Sequence, residues 1–352
     1  MQEETLVKRL IRIVGACAVV LLLSGLLGCG GKKSYQKTFY SLFETVSTLT
    51  VYADSEEDFE KAAKYFEDEL TKYHRLFDIY NNYDGINNLK TINDYAGIKP
   101  VAVDEEIIDL LKFCKAMYIE SDGQVNIAFG SVLSIWHDYR EAGMENPEAA
   151  KLPPMEDLKA AAAHTDIEAV VIDEKNHTVY LEDAAMRLDV GAIAKGYAVE
   201  KIGQDLKAQG ILNALIDVGG NIKAIGKKPD DSLWRLGLQN PDLDSDEIYL
   251  HTIALDEASL VTSGNYQRYY TVDGKRYHHI IKPETLMPYD AYAAVSVICK
   301  DSGIGDGLST ALFNMSIEDG RALAEQFDAA VLWVRTDGSE EMTDNFEAFI
   351  KD

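Results

Sequence analysis

The chain has 352 residues, 47% of them hydrophobic, and a formal net charge of −25. A chain of this length and composition can bury a substantial core, which excludes a disordered or fibrous protein. Its Lys and Arg residues form no cluster, which argues against nucleic acid as a partner. An anionic ligand would need a local device such as a helix N-terminus, a lysine or a bound cation.

The N-terminus has the features of a secretion signal. Three basic residues precede an apolar run that is short for a membrane-spanning helix and ends at LLGCGG. Residues 26–28 before Cys29 resemble the bacterial lipobox, which implies cleavage before Cys29 and a lipid on that cysteine. We predict a signal peptide over residues 1–28 and a lipid-anchored protein on the extracytoplasmic face of the cell membrane, with an uncleaved anchor as the alternative.

The rest of the chain is predicted to be a tether followed by one domain. The polar stretch GGKKSYQK suggests a tether over residues 29–39, and the domain is expected over residues 40–350. Cys114 and Cys299 lie in apolar settings and are predicted to be buried small hydrophobes. A disulfide between them has no support in the sequence.

The first half of the domain mixes strands and helices. An alternating strand over 43–54 precedes a long amphipathic helix that starts after Ser55 as its N-cap. A turn-rich stretch follows, and a second helix is closed by Gly123. Residues 168–182 have the pattern of a hairpin with its turn near EKNH.

The second half is dominated by strands. After a helix over the segment near residue 195 come strands in NALIDVGGNIKAIG, WRLGLQNP, IYLHTIALDEASLVTSG, QRYYTVDGKRYHHII and YAAVSVICK. Two helices follow, in GDGLSTALFNM and IEDGRALAEQF. Hairpins outnumber βαβ units, so the predicted class is α+β, with mixed or antiparallel sheets and flanking helices.

The segment RLDVGAIAKGYAVEKI, residues 187–202, places small residues where a helix begins. Glycine and alanine there would let the backbone approach phosphate oxygens, with Lys195 adding a full charge. The alternative is tight packing of the helix against a sheet. Asp189 and Lys195 favour a ligand-binding role, because two charged side chains are not expected where a helix only packs against a sheet.

Two further stretches carry candidate chemistry. In GIGDGLSTALF, a helix beginning at Asp306 would place Asp306 and Thr310 on one face, where they could share a hard cation. Asp306 could equally be only the N-cap of that helix. In RYHHII, His278 and His279 are adjacent on a strand and face opposite sides, so one of them is a candidate base, although a lone strand histidine is more often structural.

Together these stretches resemble one family, in its order and along nearly the whole chain after the signal. RLDVGAIAKGYAVEKI is similar to L-D-L-G-x-I-A-K-G-Y-A-x-D, TSGNYQRYYTVDGKRYHHIIKPETLMP to T-S-G-x-Y-x-R-Y with H-I-I-D-P-x-T-G, and GDGLSTALF to A-D-A-L-S-T-A. SDGQVNIAFGSVLSIW resembles S-D-G-x-F-D-I-x-x-G-P-L, and IDVGGNI resembles the family's glycine-rich strand. The family is that of the FAD:protein FMN transferases, the ApbE-type flavin transferase lipoproteins.

The resemblance implies an ApbE-like fold with an FAD cleft between two lobes, in which the small residues near Lys195 make room for FAD. It implies that Mg²⁺, or Mn²⁺, is held by the Ala192 carbonyl, Asp306 and Thr310. It makes His279 the catalytic base, with Asp306 as a rival. The residues expected to contact FAD are Glu44, Phe77, Asn126, Asp189, Lys195 and Ile280.

The implied reaction moves FMN from FAD to a Thr or Ser hydroxyl of an acceptor protein and releases AMP. The expected acceptor is a membrane redox subunit or an extracytoplasmic flavoprotein. Two alternatives stay open: a metal-dependent FAD pyrophosphatase that gives FMN and AMP, and a lipoprotein that binds flavin without chemistry.

Two departures from the family pattern affect the expected site. Lys282 replaces the aspartate of HIIDP and is expected to lower the pKa of a nearby histidine by like-charge repulsion. TLMP replaces TGxP, so the turn there is expected to differ.

Overall fold

The computed structural model describes residues 31–351. Its central element is an eight-stranded sheet in which all neighbouring strands pair antiparallel. The strands lie side by side in chain order: β1 (Lys33–Leu42), β2 (Thr45–Ala53), β6 (Ala214–Val218), β7 (Asn221–Ile225), β10 (Ser259–Gly264), β15 (Tyr292–Cys299), β16 (Ala330–Arg335) and β17 (Glu340–Met342). All other elements except the last 3₁₀ helix, which follows β17, are therefore insertions into one antiparallel meander.

The insertions carry four small sheets. A three-stranded sheet contains β3 (Val101–Ala102), β4 (Val170–Asp173) and β5 (Thr178–Leu181). The hairpins are β8 (Trp234–Gln239) with β9 (Tyr249–Leu255), β11 (Tyr269–Val272) with β12 (Lys275–His278), and β13 (Ile281–Lys282) with β14 (Met287–Pro288). The predicted hairpin near EKNH is confirmed as β4 and β5.

The helices cover the sheet and confirm the predicted α+β class. The described residues form α1 (Glu56–Phe77), α2 (Leu89–Asp94), α3 (Glu105–Glu120), α4 (Gly130–Glu145), α5 (Met155–Ala162), α6 (Ala194–Ala208), α7 (Ser302–Asn314) and α8 (Ile317–Gln326). Short 3₁₀ helices lie at Pro147–Ala149, Ile167–Ala169 and Glu347–Phe349. In the described part of the chain, no helix is both long and apolar enough to cross a membrane.

The predicted tether is wrong over most of its length. Residues from Lys33 onward form β1, which pairs with β2 along its whole length. Tyr35 stacks on Phe59 of α1 with ring centroids 5.4 Å apart, and Phe39 lies 5.1 Å from Phe66. Ser34 and Gln36 lie on the outer face, while Lys37 on the inner face bonds to Glu60 of α1, so the polar letters conceal the apolar alternation. The folded domain therefore begins before residue 40, while the predicted signal peptide and Cys29 lie outside the described residues.

Local signals explain where α1 begins. The Ser55 side chain accepts a hydrogen bond from the Asp58 amide at 3.1 Å, as predicted for an N-cap. Such a cap contributes about 1 kcal/mol. The acidic first turn adds a favourable interaction with the positive end of the helix dipole.

Three apolar clusters build the core. The largest lies between the main sheet and helices α1, α3, α6 and α7, and the second fills the opposite face beneath β8 and β9. The third surrounds Trp136 and joins α4 to β11 in a small lobe of its own. Cys114 and Cys299 are buried and free, as predicted, and burial raises the pKa of both thiols, which makes them unreactive.

Candidate active site

A large cleft opens where the small lobe faces the end of the main sheet. Its volume is about 3110 Å³, against roughly 300–1,000 Å³ for ordinary small-molecule pockets. Three parts of the main sheet lie at this edge: the β1–β2 turn, the β6–β7 turn and the last residue of β10. The cleft is lined by Glu44, Phe77, Asn126, Asp189, Ala192, Lys195, His279, Ile280, Asp306 and Thr310. Every site residue predicted from the described part of the chain therefore lies at one cleft, although Phe77 is almost fully buried beneath its surface.

Asp189 lies just before α6 and is held by local hydrogen bonds. Its amide donates to the Ile127 carbonyl at 2.8 Å, and its Oδ1 accepts from the Gly191 amide at 2.8 Å. Burial raises the pKa of this carboxyl, opposed by the Gly191 amide. The remaining oxygen is free to accept a hydrogen bond from a ligand hydroxyl or ring N–H.

Gly196 serves helix packing, which corrects the expectation that all the small residues here make room for FAD. A Cβ at this position would lie 2.2 Å from the Ser302 carbonyl oxygen and 2.5 Å from the Asp306 Cβ. Only glycine lets α6 and α7 approach so closely. The Gly196 amide donates to Asp306 Oδ2 at 2.8 Å, so this helix N-terminus binds a protein carboxylate and not a phosphate. Gly191 and Ala192 stay at the cleft surface.

Asp306 is not a helix cap, which answers the alternative left open by its sequence. Helix α7 begins at Ser302, and Asp301 is its N-cap, accepting from the Ile304 amide at 3.0 Å. Asp306 lies in the second turn, buried, with Oδ2 3.8 Å from Lys195 Nζ. Burial raises the pKa of Asp306, and Lys195 and the Gly196 amide oppose that rise.

The residues around Asp306 suit a hard divalent cation. The described residues contain no group of three or more His, Cys, Asp or Glu side chains that could bind a metal, so a cation here would combine one carboxylate with neutral oxygens. Thr310 lies one turn after Asp306, and the Oδ1 of Asn221 in the same cleft is buried without a hydrogen-bond partner. Mg²⁺ is typically bound by one or two carboxylates plus phosphate oxygens and water, and Mn²⁺ accepts the same ligands.

Both histidines line the cleft, and each has one buried ring nitrogen without a hydrogen-bond partner, but His278 is only 3% exposed whereas His279 is partly exposed. His278 ends β12, is buried edge-on against Phe313 at 5.5 Å, and accepts from the Ile280 amide through Nδ1. His279 follows at a bend, with its amide bonded to the Arg268 carbonyl and its Nδ1 buried without a partner. Burial, with Arg268 as the leading neighbouring charge, lowers the pKa of His279 to about 3. The imidazole is therefore neutral at physiological pH and can accept a proton.

The two departures from the family pattern have structural explanations that differ from those expected. Lys282 Nζ donates to the Asn314 carbonyl at 2.8 Å and lies over the Tyr289 ring at 4.4 Å. It therefore satisfies the C-terminal end of α7, and Arg268 supplies the charge beside His279 instead. Leu286, where the family has glycine, takes a φ of 59°, the left-handed conformation that glycine favours. The backbone there adopts a glycine-like turn despite the substitution.

These contacts predict opposite effects for two cations. Arg268→Gln should raise the pKa of His279 and so move the acidic limb of the kcat profile to higher pH, because a positive neighbour is lost. Lys282→Met should leave that limb in place and lower the free energy of unfolding by about 1 kcal/mol, because a helix C-terminal carbonyl loses its donor. The checks are kcat against pH at saturating FAD and thermal denaturation. A limb that moves with Lys282→Met alone would refute the assignment.

Phe77, the predicted flavin neighbour, is buried, while Tyr80 nearby is one of several exposed aromatic residues that line the cleft. Phe77 ends α1 and is only 4% exposed, packed against Tyr73 and Tyr197 with centroids 5.3 and 6.1 Å away. Tyr80, three residues later, is 51% exposed and lines the same cleft. The Asp78 carboxylate shapes this loop by accepting from the Tyr80 amide at 2.6 Å.

The other predicted ligand positions lie at the cleft with different amounts of freedom. Glu44 is exposed in the β1–β2 turn, 3.9 Å from Arg268. The side chain of Asn126 is bonded to the backbone at both ends: its oxygen accepts from the Ala128 amide, and its nitrogen donates to the Thr165 carbonyl. Ile280 is buried and can offer only main-chain atoms and an apolar edge.

Among the carboxyl residues of the cleft that sequence reasoning missed, Asp217 lies at the end of the main sheet. Asp217 on β6 lines the cleft, and burial raises the pKa of Asp217 to about 6. Its Oδ1 accepts from the Gly220 amide at 2.9 Å, which shapes the β6–β7 turn. The available signal was IDVGGNI, in which an acid precedes a glycine pair.

Comparison with solved structures defines the class of protein. The chain matches the ApbE protein of Thermotoga maritima with a TM-score of 0.78 and 30% identity, covering 91% of this chain and 100% of that one. It matches the apo form of the flavinyl transferase ApbE of Pseudomonas stutzeri with a TM-score of 0.75 and 27% identity, covering 92% and 98% of the two chains. The fold is that of the ApbE proteins, as the sequence motifs implied.

Sequence comparison defines the family. The model of the ApbE family matches residues 43–333. An FAD:protein FMN transferase of Klebsiella pneumoniae is 34% identical over 260 residues, which cover 72% of this chain and 78% of that protein. One of Treponema pallidum is 32% identical over 328 residues, which cover 88% and 87% of the two chains. This chain belongs to the ApbE family.

Proposed function

We propose that this protein is an FAD:protein FMN transferase, which moves FMN from FAD to a Thr or Ser hydroxyl of an acceptor protein. The acceptor oxygen attacks the flavin-side phosphorus, the pyrophosphate P–O bond breaks, AMP leaves, and the hydroxyl proton passes to a base. One observation carries the proposal: a buried carboxylate, a lysine and a neutral histidine line one cleft together with an exposed aromatic ring. The relatives named for this reaction support it.

We propose Mg²⁺, with Mn²⁺ as the alternative, as the cation of this site, held by Asp306, Thr310 and the Ala192 carbonyl. When bound, it would offset the charge of the pyrophosphate and of the departing AMP. Lys195 would add a second positive charge to the same phosphates. The Gly196 amide fixes the Asp306 carboxylate in place, so little reorganisation is needed during the reaction.

The proton acceptor in this proposal is His279. Its unpartnered Nδ1 and lowered pKa keep the ring neutral in the free protein, and bound anionic phosphates would raise that pKa toward the working pH. A general base is most effective when its pKa lies near the operating pH. Asp306, the rival base, is engaged by Gly196 and Lys195.

The relatives named for transfer to a protein favour a protein acceptor over water. A hydrolase that releases FMN and AMP would use the same residues but needs room only for FAD. The cleft is open to solvent and is lined by the β1–β2 turn, the small lobe and the β8–β9 hairpin, so a polypeptide segment could reach the dinucleotide from outside.

We also propose that the protein is a lipoprotein anchored through Cys29 on the extracytoplasmic face, and that its acceptor is a membrane redox subunit or an extracytoplasmic flavoprotein. Because β1 begins at Lys33, only a few residues would separate the lipid from the sheet. Four extended residues span at most about 14 Å. Such a short connection would hold the domain at the membrane surface, where a membrane-bound acceptor lies.

The experiment that tests the reaction follows the nucleotide products. The protein without residues 1–28 is incubated with FAD and Mg²⁺, and FMN and AMP are separated by chromatography with and without a candidate acceptor domain. A transferase releases AMP in step with the acceptor and leaves little free FMN. Equal free FMN and AMP without an acceptor would identify a hydrolase, and unchanged FAD in both arms would identify a binder.

Tyr80 is expected to be the aromatic neighbour of the flavin. Tyr80→Ala should raise the FAD dissociation constant by about tenfold, because stacking of an aromatic pair contributes about 0.5–1.5 kcal/mol beyond the buried area. Phe77→Leu, a change inside the core, should alter stability more than affinity. Quenching of flavin fluorescence measures both constants. A larger loss of FAD affinity in Phe77→Leu than in Tyr80→Ala would show that Phe77, and not Tyr80, is the aromatic neighbour of the flavin.

A further inference from the structure

We propose that Glu200 and Lys223, a buried ion pair outside the cleft, are positioning residues that hold Asp306 in its working place. The inference rests on the proposed role of Asp306 at the FAD phosphates. It concerns residues that touch neither FAD nor the cation.

The pair is desolvated and tightly bonded. Lys223 Nζ of β7 lies 2.8 Å from Glu200 Oε2 of α6, and the two side chains are 11% and 10% exposed. Lys223 also donates to the Lys300 carbonyl at 3.1 Å, just before α7. A buried ion pair of this kind often contributes little net stability, because removing both charges from water costs about as much as their attraction returns.

The Glu200 carboxylate reaches beyond Lys223 to the start of α7. Its Oε2 also accepts from the Ser302 amide at 2.8 Å, and its Oε1 accepts from Gln204 Nε2 at 2.9 Å. Ser302 is the first residue of α7. One carboxylate thus joins α6 and β7 to the amide that begins the helix carrying Asp306.

Two hydrogen bonds, each from a backbone amide to a carboxylate, connect α6 and α7 at successive helical turns. Gly196 and Glu200 are four residues apart on α6, and Ser302 and Asp306 are four apart on α7, so each pair lies on one helix face. The Gly196 amide donates to Asp306, and Glu200 accepts from Ser302. The helices run antiparallel along this seam. Glu200 therefore sets the position of the first turn of α7, and through it the position of the Asp306 carboxylate.

A shift of this turn would matter more for chemistry than for folding. A displacement of about 1 Å can cost about 100-fold in rate when it misplaces a group in the site. Loss of groups that orient a metal ligand typically costs about 10- to 100-fold in metal affinity.

The test replaces both charges together. In Glu200→Leu/Lys223→Met, no unpaired buried charge remains, so the protein should melt cooperatively near the parent temperature. Mn²⁺ binding, measured by electron paramagnetic resonance with Mn²⁺ alone, should weaken about 10- to 100-fold. The Gly196 amide should exchange faster with deuterium in mass spectrometry. Glu200→Asp, which keeps the carboxylate, should recover most of the Mn²⁺ affinity.

A control on the same helix separates positioning from general helix stability. Lys207→Met/Glu257→Leu removes an ion pair near the far end of α6 whose members are 50% and 51% exposed, and it should change neither Mn²⁺ binding nor Gly196 exchange. The proposal is overturned if Glu200→Leu/Lys223→Met binds Mn²⁺ like the parent and protects the Gly196 amide equally well.

Two further outcomes remain decisive. If the double variant does not fold, Glu200→Gln gives the same comparison, because it removes the negative charge and one of the two acceptor oxygens that bond to Lys223, Ser302 and Gln204. If the parent itself binds no Mn²⁺, the proposed cation site fails, and Gly196 exchange alone decides whether Glu200 positions Asp306.

Discussion

Asp306→Asn should lower FMN transfer by about 10³-fold while the protein stays folded, because the only carboxylate proposed for the cation is lost and metal stabilisation of a transferring phosphoryl group is worth several kcal/mol. The amide has the same shape and can still accept from the Gly196 amide. Since burial raises the pKa of Asp306, its charged form is disfavoured in the folded state, and neutralising it should not lower the melting temperature.

Two controls show whether the loss of activity in Asp306→Asn is due to loss of the cation. EDTA should inactivate the parent protein to the same degree, and added Mg²⁺ should restore it. Asp301→Asn changes the other acid at the start of the same helix, where asparagine also serves as an N-cap, and should leave transfer near the parent rate. Full activity of the parent in EDTA would rule out the cation mechanism.

His279→Ala should lose about 10²- to 10⁴-fold in transfer while FAD and cation binding persist, because general-base catalysis contributes that much. The ring is neutral in the free protein, so nothing else need remove its proton first. Single-turnover assays at saturating FAD measure the step directly, and equilibrium titration checks FAD affinity separately.

His278 provides the matched control. It packs against Phe313 and bonds to the Ile280 amide, so His278→Ala should cost about 1–3 kcal/mol of stability and leave transfer nearly unchanged. If His278→Ala loses transfer while His279→Ala retains the parent rate, the catalytic assignment belongs to the other histidine.

The elements that sequence predicts well are those set by local signals. Helix α1 begins after Ser55 because cap and acidic first turn are adjacent in the chain. Helix α7 starts three residues before the predicted helix in GDGLSTALFNM, because it contains three glycines in its first two turns and is stabilised by packing rather than by propensity. The sequence does not predict helix α4, because its N-terminus has no side-chain cap that would mark where the helix begins.

In the candidate site too, local patterns can be predicted from the sequence, whereas contacts between distant segments cannot. Strand alternation predicts that His278 and His279 face opposite sides, yet both line the cleft, because the strand ends at His278 and the chain bends at His279. The choice between Phe77 and Tyr80 depends on where α1 ends, and the partner of Lys282 depends on where the end of α7 lies. Such contacts between distant segments follow from tertiary packing, which motif spacing does not contain.

The measurement that tests the central claim most directly is the intact mass of an acceptor. The protein without residues 1–28 is incubated with FAD, Mg²⁺ and a candidate acceptor domain, beside a copy of that domain whose Thr or Ser at the modified position is replaced by alanine. The proposed function predicts that the first acceptor gains the mass of one FMN less one water, with one AMP released, while the alanine copy gains nothing. An unchanged acceptor mass while FAD is converted to free FMN and AMP would contradict it.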